Sequence, residues 1–395
     1  MTIPQIAFVP ESGVARARLH EGALSGLSFA VKDTFSIRGH VSSAGHPDWA
    51  RSHLPAERYA PLVEQLMREG ADLVGVTILD ELAFSLTGTN TFYGTPENPR
   101  ASGRLCGGSS CGSAAAVAAA LCDFALATDT AGSVRVPAAF CGLFGIRATH
   151  GLLSMEGVVP LAPGFDVPGF LARDAHTFGA VGSVLFGAKS PRGLERVLVA
   201  DDALALCDAG VPELLRDQLE RAIKRLGVRH ETIEAAPEGF FELSAAFRRL
   251  RSREVWSTHG DWITRTKPAF SPAVHERFEH CRLLSESGPD SEADLALRER
   301  VRERLRDWLT PGTLLFLPPA PGIAPRIDAP AAELETFRAR ALELGSLAAL
   351  AGAPQLVIPA RELDGAPLGL SFVGAPEQDA WLTQIAAPLD RALVS

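Results

Sequence analysis

Lysine is nearly missing from this chain. Of its 38 basic residues only four are lysines, Lys32, Lys189, Lys224 and Lys267, and the other 34 are arginines. Arginine supplies positive charge almost wherever it is needed, so a retained lysine is a candidate for work that arginine cannot do. Arginine stays protonated, whereas a buried lysine can lose its proton and act as a base. Only Lys32 follows an apolar, strand-like run, "LSFAVK"; the other three sit in polar or loop-like settings.

Other absences exclude whole classes of function. No apolar run approaches the ~20 residues of a membrane span. The longest, after Ser113, is broken by Asp123. Residues 1–10 lack a basic start leading into an apolar core, so no secretory signal is expected. The six cysteines, Cys106, Cys111, Cys122, Cys141, Cys207 and Cys281, form no CxxC pair. They read as free thiols of a cytoplasmic protein. The ten histidines contain no HExxH, and His275 and His280 are five apart, off one helical face, so no metal site is expected. Positive charge is in deficit: a net charge of -9 repels phosphate backbones and argues against nucleic acid as a partner.

What remains is a globular composition, 46% hydrophobic and 22% charged over 395 residues. That length supports one large domain or two ordinary ones. Residues 1–22 read as an exposed arm. "LSFAVKD" reads as a strand ending in charge. "APLVEQLMREGADLVGVTILDE" reads as an amphipathic helix, a glycine at the C-cap and a buried strand. Residues 86–108 are dense in Gly, Pro, Asn and Thr, and a loop of that length is usually functional. "SAAAVAAALC" reads as a helix tight against the core, and "FALATDT" as a short strand. This alternation argues for an α/β layered fold. Residues 185–310 are richer in charge and helical patterns. The tail "APQLVIPARELDGAPLGLSFVG" returns to strand, turn, strand, which suggests that the chain closes back on its first half as one domain.

The stretch "GGSSCGS", residues 107–113, is the first candidate for chemistry. A phosphate loop needs a lysine that this stretch lacks. Cys111 as nucleophile needs a partner such as histidine to lower its pKa, and the nearest along the chain are His53 and His150. A free cysteine is more often a small buried hydrophobe, which is the preferred reading of Cys111. Ser133, in "TDTAGSVR", sits on a small-residue turn after a strand, where successive N–H groups can converge on an anion. No GxSxG elbow surrounds it. Taken alone, Ser133 reads as a capping serine at a strand-to-helix turn.

The combination changes that reading. "VKD", then "GGSSxGSAAAVAA", then "TDTAGSVRVPAAFCG" resembles the amidase signature family over most of residues 25–175, with Ser109 and Ser133 24 residues apart as in that family. "GLSFAVKD", "HPDWAR", "YGTPENP" and "SFVG" are similar to the plant indole-3-acetamide hydrolases. The variant "TDTAGS" is shared with allophanate hydrolases. The resemblance implies a large mixed β-sheet core flanked by helices on both faces, in one domain. Its parts are an arm (1–22), a catalytic signature core (23–180), a helical, specificity-setting region (185–310) and closing strands with a helix (311–395).

It also implies roles. Ser133 is the nucleophile, Ser109 the bridging serine after a cis peptide bond from Gly108, and Lys32 the base. Thr130, Ala131, Gly132 and Ser133 supply oxyanion N–H groups. Ser110 and Asp129 orient the network, and Arg135 occupies a signature position with a role that fits structure as well as function. No metal or organic cofactor is implied. Lysine at an unperturbed pKa of ~10.4 is useless as a base, so burial must favour its neutral form. Three positions depart from the family pattern: Cys111 stands for Ser or Gly, Cys106 for Pro, and Ala131 for Gly. Ala131 requires a backbone outside the conformations that only glycine tolerates.

The implied reaction is hydrolysis of a small primary amide, with an aryl or alkyl acyl group, to carboxylate and ammonia. "MEGVVPLAPGFDVPGFLARD" resembles the family's acyl-pocket segment, which makes Phe165 and Phe170 candidates for an apolar wall; ordinary core phenylalanines are an equal alternative. Two other functions stay open: a ureide hydrolase of the allophanate type and a catalytically silent binding subunit. A transamidation subunit acting on charged tRNA fits poorly with the short, acidic chain. The family resemblance also admits a homodimer.

Overall fold

A computed structural model describes residues 6–10, 12–188 and 192–394, so Lys189 lies outside the described residues. Its centre follows from strands that are apolar on both sides. All six residues of Phe124–Asp129 (β3) are buried, as are all four of Phe144–Arg147 (β4) and all six of Val167–Ala172 (β5). Such strands require cover on both faces.

The remaining strands are Ser28–Lys32 (β1), Asp72–Thr77 (β2), Arg196–Ala200 (β6), Arg229–Ile233 (β7), Thr313–Leu317 (β8), Gln355–Leu363 (β9) and Ala366–Val373 (β10). Together they form one ten-stranded sheet in the order β2-β1-β3-β5-β4-β9-β10-β8-β6-β7. It is parallel towards both edges and antiparallel through the middle. The β9–β10 connection runs through Asp364 and Gly365, both at positive φ (51° and 71°), as an Asp-Gly hairpin turn prefers.

Strand alternation sorts the side chains into two cores, one on each face. Phe29, Val31, Phe124 and Leu126 enter one, while Ala30, Ala125 and Ala127 enter the other. The small face lets helix Cys111–Ala118 lie close to the sheet. That helix is buried from Cys111 to Val117. A Cβ on its Gly112 would meet Ala7 O at 2.4 Å. The fold expected from the sequence is therefore the observed one, a mixed sheet between two helical layers.

Two regional expectations need refining. The described part of the 1–22 arm is docked along the sheet edge while much of it stays exposed; residues 1–5 and 11 lie outside the described residues. Phe8 bridges Thr77 and Arg16 bridges Leu73, both antiparallel, and Val9 N donates to Val76 O. β2 is an edge strand whose backbone groups need partners, and the arm, with Ala7 and Val14 buried, supplies them. The 185–310 region is not only helical: it also contributes β6 and β7, the opposite edge. β7 is short and mostly exposed, so it carries no apolar alternation to read. The long helices Phe240–Thr266, Pro272–Glu286 and Glu292–Trp308 do match the helical pattern. Among the described residues no helix is long and apolar enough to cross a membrane.

Candidate active site

The candidate residues gather at the C-terminal ends of the adjacent parallel strands β1 and β3, where open α/β sheets commonly form their clefts. Lys32 is the last residue of β1 and is fully buried. Its Nζ lies 2.8 Å from Ser109 Oγ and 3.0 Å from Thr128 Oγ1. The peptide bond between Gly108 and Ser109 is cis. Gly108 is required by its neighbours: a Cβ there would meet Asp80 Oδ2 at 2.4 Å and Gly88 N at 2.6 Å. Burial lowers the Lys32 pKa to about 8, against an opposing pull from Asp80 and more weakly from Asp129. Near neutral pH about a tenth of this amine is therefore uncharged and able to accept a proton, far more than for an unperturbed lysine.

Ser133 stands on the turn after β3, only 4% exposed. Asp129 builds that turn. Its carboxylate accepts from Gly132 N at 2.9 Å, Val134 N at 3.0 Å and Arg135 N at 3.3 Å. The same carboxylate is clamped by Arg135 Nε and Nη2, at 3.1 and 2.8 Å, and by Arg147 Nη1 at 3.1 Å. Burial alone would push this carboxyl up; the guanidiniums of Arg135 and Arg147 outweigh it and hold Asp129 well below the usual carboxylate range. Arg135 continues to Gln355 Oε1 at 2.6 Å and Gly345 O at 3.2 Å. Arg135 is therefore a tie between the turn and the closing strands.

The positive φ in this turn falls on Gly132, at 135°, and Ala131 stays outside the left-handed region. The alanine is thus accommodated without strain. Because the Gly132 N–H is taken by Asp129, it is turned into the network. Among the described residues no protein acceptor takes the N–H of Ala131 or Ser133. Thr130 is fixed through its side chain, which donates to Asp166 Oδ1 at 2.6 Å. Asp166 Oδ2 in turn accepts from Leu161 N and Ala162 N at 2.7 and 2.8 Å.

The amidase family model matches residues 10–203. The chain is 36% identical to Amidase 1 of Arabidopsis thaliana over 92% of each chain. The chain belongs to the amidase family. It is also 32% identical to Outer envelope protein 64, chloroplastic, of the same plant, over 91% of this chain and 65% of that one. A crystal structure of an amidase superposes with a TM-score of 0.83 at 30% identity, covering 94% of this chain and 86% of the other. The chain is thus an enzyme of the hydrolase class that acts on amide bonds.

In this amidase Ser133 opens into a narrow cavity with Ala83, Phe84, Leu86, Leu161 and Arg251 among its walls. The free space is about 20 Å³, room for roughly one water. Neither Phe165 nor Phe170 lines it; of the two readings left open, both side chains follow core packing. Phe165 packs edge-on against Phe247 with centroids 5.0 Å apart, beneath the Arg298 guanidinium. Phe170 points to the opposite face of the sheet and packs on Phe178. The Ser110 hydroxyl makes a long contact, 3.5 Å, to Thr128 O. Cys111 is fully buried, and burial pushes its thiol well above the ordinary value, as suits a core residue rather than a thiolate.

Several residues of this site carried no readable signal in the sequence. Thr128 is the second hydroxyl on Lys32 and sits inside the quoted "TDTAGS", where Asp129 drew attention instead. Asp80 follows an apolar strand in "TILDE" and is fully buried, which raises its pKa to about 6. Arg147 lies in strand β4 with no motif around it, yet it holds Asp129 O at 2.7 Å and Phe165 O at 3.0 Å. Among the described residues no three His, Cys, Asp or Glu side chains gather to hold a metal ion.

The Asp129 network makes a stability prediction. Asp129→Asn leaves the buried Arg135 and Arg147 without their counter-charge and should cost about 3–5 kcal/mol, read from the denaturant midpoint. A loss below about 1 kcal/mol would show that the clamp is dispensable.

Proposed function

We propose that this enzyme hydrolyses a small primary amide, aryl or alkyl, through a Lys32–Ser109–Ser133 proton relay and a Ser133 acyl-enzyme. The observation that carries the reading is the buried Lys32, bound 2.8 Å from Ser109 and shifted to about 8, where a lysine serves as a base.

In the first step neutral Lys32 takes the Ser109 hydroxyl proton while Ser109 takes that of Ser133. The Ser133 oxygen bonds to the amide carbon, and the backbone N–H groups of Ala131 and Ser133, with Thr130 beside them, face the oxyanion. The Gly132 N–H is left out of this set because Asp129 holds it. The proton on Lys32 returns through Ser109 to the amide nitrogen, the C–N bond breaks, and ammonia leaves. Water then adds to the ester by the same relay, releasing carboxylate and Ser133. The small cavity at Ser133 has the size of that one water.

A fluorophosphonate probe with peptide mapping, run beside an ammonia assay on indole-3-acetamide, butyramide and allophanate, tests this reading. Label on the Ser133 peptide together with ammonia release from a simple amide is the expected result. Ammonia from allophanate alone would favour a ureide hydrolase; no label and no ammonia would favour a silent binding subunit.

A further inference from the structure

Next to the Ser133 cavity lies a larger chamber of about 670 Å³, and the two share Phe84, Arg251 and Arg338 as walls. The chamber is lined by five arginines, Arg248, Arg249, Arg251, Arg277 and Arg338, against only two carboxylates, Glu276 and Glu335. Several of these arginines are already paired. Arg249 binds Asp294, and Arg277 and Arg338 share Glu335, which is half-exposed.

Arg251 differs. It is only 7% exposed, and among the described residues no hydrogen bond or ion pair engages its guanidinium. Its Nε is buried without a partner. The group lies over two aromatic rings, 5.1 Å from the Phe84 centroid and 5.2 Å from the Phe247 centroid. Ring faces hold it in place but accept none of its five N–H donors. Burial and the neighbouring guanidiniums both act against its charge, and the group still titrates at about 10, so it is cationic at neutral pH. A desolvated, unpaired cation is costly unless a partner arrives.

We propose that Arg251, assisted by Arg338, binds a carboxylate carried by the substrate, so that the preferred substrate is a short-chain amide bearing an anionic group rather than a neutral one. This rests on the amidase reading above and narrows its acyl group. The planar guanidinium fits a carboxylate with two parallel hydrogen bonds. The free space beside Ser133 offers no ready slot for an aryl ring, whereas the adjoining chamber offers charge and room. A half-amide of a short dicarboxylic acid places its amide at Ser133 and its carboxylate at Arg251. Allophanate carries the same anion on the acyl side of the amide that loses ammonia, at a shorter reach.

The test compares glutaramate with its neutral counterpart valeramide, and adds allophanate. For the wild-type enzyme kcat/KM should favour glutaramate over valeramide by about 100-fold, because the neutral analogue leaves the guanidinium unpaired. Arg251→Met should bring that ratio within about 3-fold, and Arg251→Lys should leave it intermediate. A similar Arg251-dependent preference for allophanate would support the anion site with a shorter acyl group. Equal or better use of valeramide overturns the inference while leaving the amidase reading intact. Binding to the Ser133→Ala protein, followed by calorimetry, separates recognition from chemistry. Glutaramate bound about 100-fold more tightly than valeramide supports the site even without turnover, and equal binding overturns it. If Arg251→Met does not fold, Arg338→Gln serves as the second variant and should narrow the same ratio.

Discussion

Ser133→Ala is expected to lower kcat by about 10,000-fold or more while leaving the unfolding midpoint close to that of the wild type. The size of the effect follows from losing the atom that forms the acyl bond, since what remains is binding and oxyanion contact. The preserved stability follows from the hydrogen bonds of the turn. They run from Gly132, Val134 and Arg135 to Asp129, and the Ser133 hydroxyl belongs to none of them. Steady-state ammonia release and a urea melt, run on the same preparation, check both halves. Retained turnover would remove Ser133 from the chemistry.

Lys32→Met is expected to lower kcat/KM by about 1,000-fold or more, again without unfolding the protein. Methionine matches the lysine stem in length and volume and removes an amine whose burial already disfavours its charge. The loss is therefore chemical. Lys32→Arg is expected to be equally inactive, because arginine cannot give up its proton near neutral pH. Activity in the arginine variant would mean that position 32 supplies a positive charge rather than a base.

The lysine scarcity that singles out Lys32 in the sequence thus has a counterpart in the fold: this one amine is buried at the end of β1, beside Ser109. The strand ends and the tight glycine–serine stretch were legible because local pattern specifies them. "FALATD" is apolar throughout, and "GGSSCGS" has no large side chain to obstruct the close approach of Gly108 to Asp80. The clamp on Asp129 was not legible. Arg147 reaches it from β4, a strand that joins the site only through sheet order, and Gln355 meets Arg135 from 220 residues away. The choice between pocket wall and core for Phe165 and Phe170 was not legible for a similar reason. Phe170 sits on a strand where parity decides the face, and Phe165 packs against Phe247 of the long helix Phe240–Thr266. Arg251 comes from that same helix, whose spacing of apolar residues reads as packing and gives no sign of which arginine finds a carboxylate.

The docked arm and the edge strand β7 show the complementary limit. The arm pairs with the edge strand β2 and β7 forms the opposite edge, and an edge exists only once the strand order is known.

The relay itself is tested most directly by the rate of fluorophosphonate labelling of Ser133 as a function of pH, in wild type and in Lys32→Met. Lys32 is the base only when neutral. Labelling of the wild type should therefore rise with pH through about 8 and level off above it, while Lys32→Met should label at least about 100-fold more slowly with no inflection there. Identical profiles for the two proteins would contradict the relay.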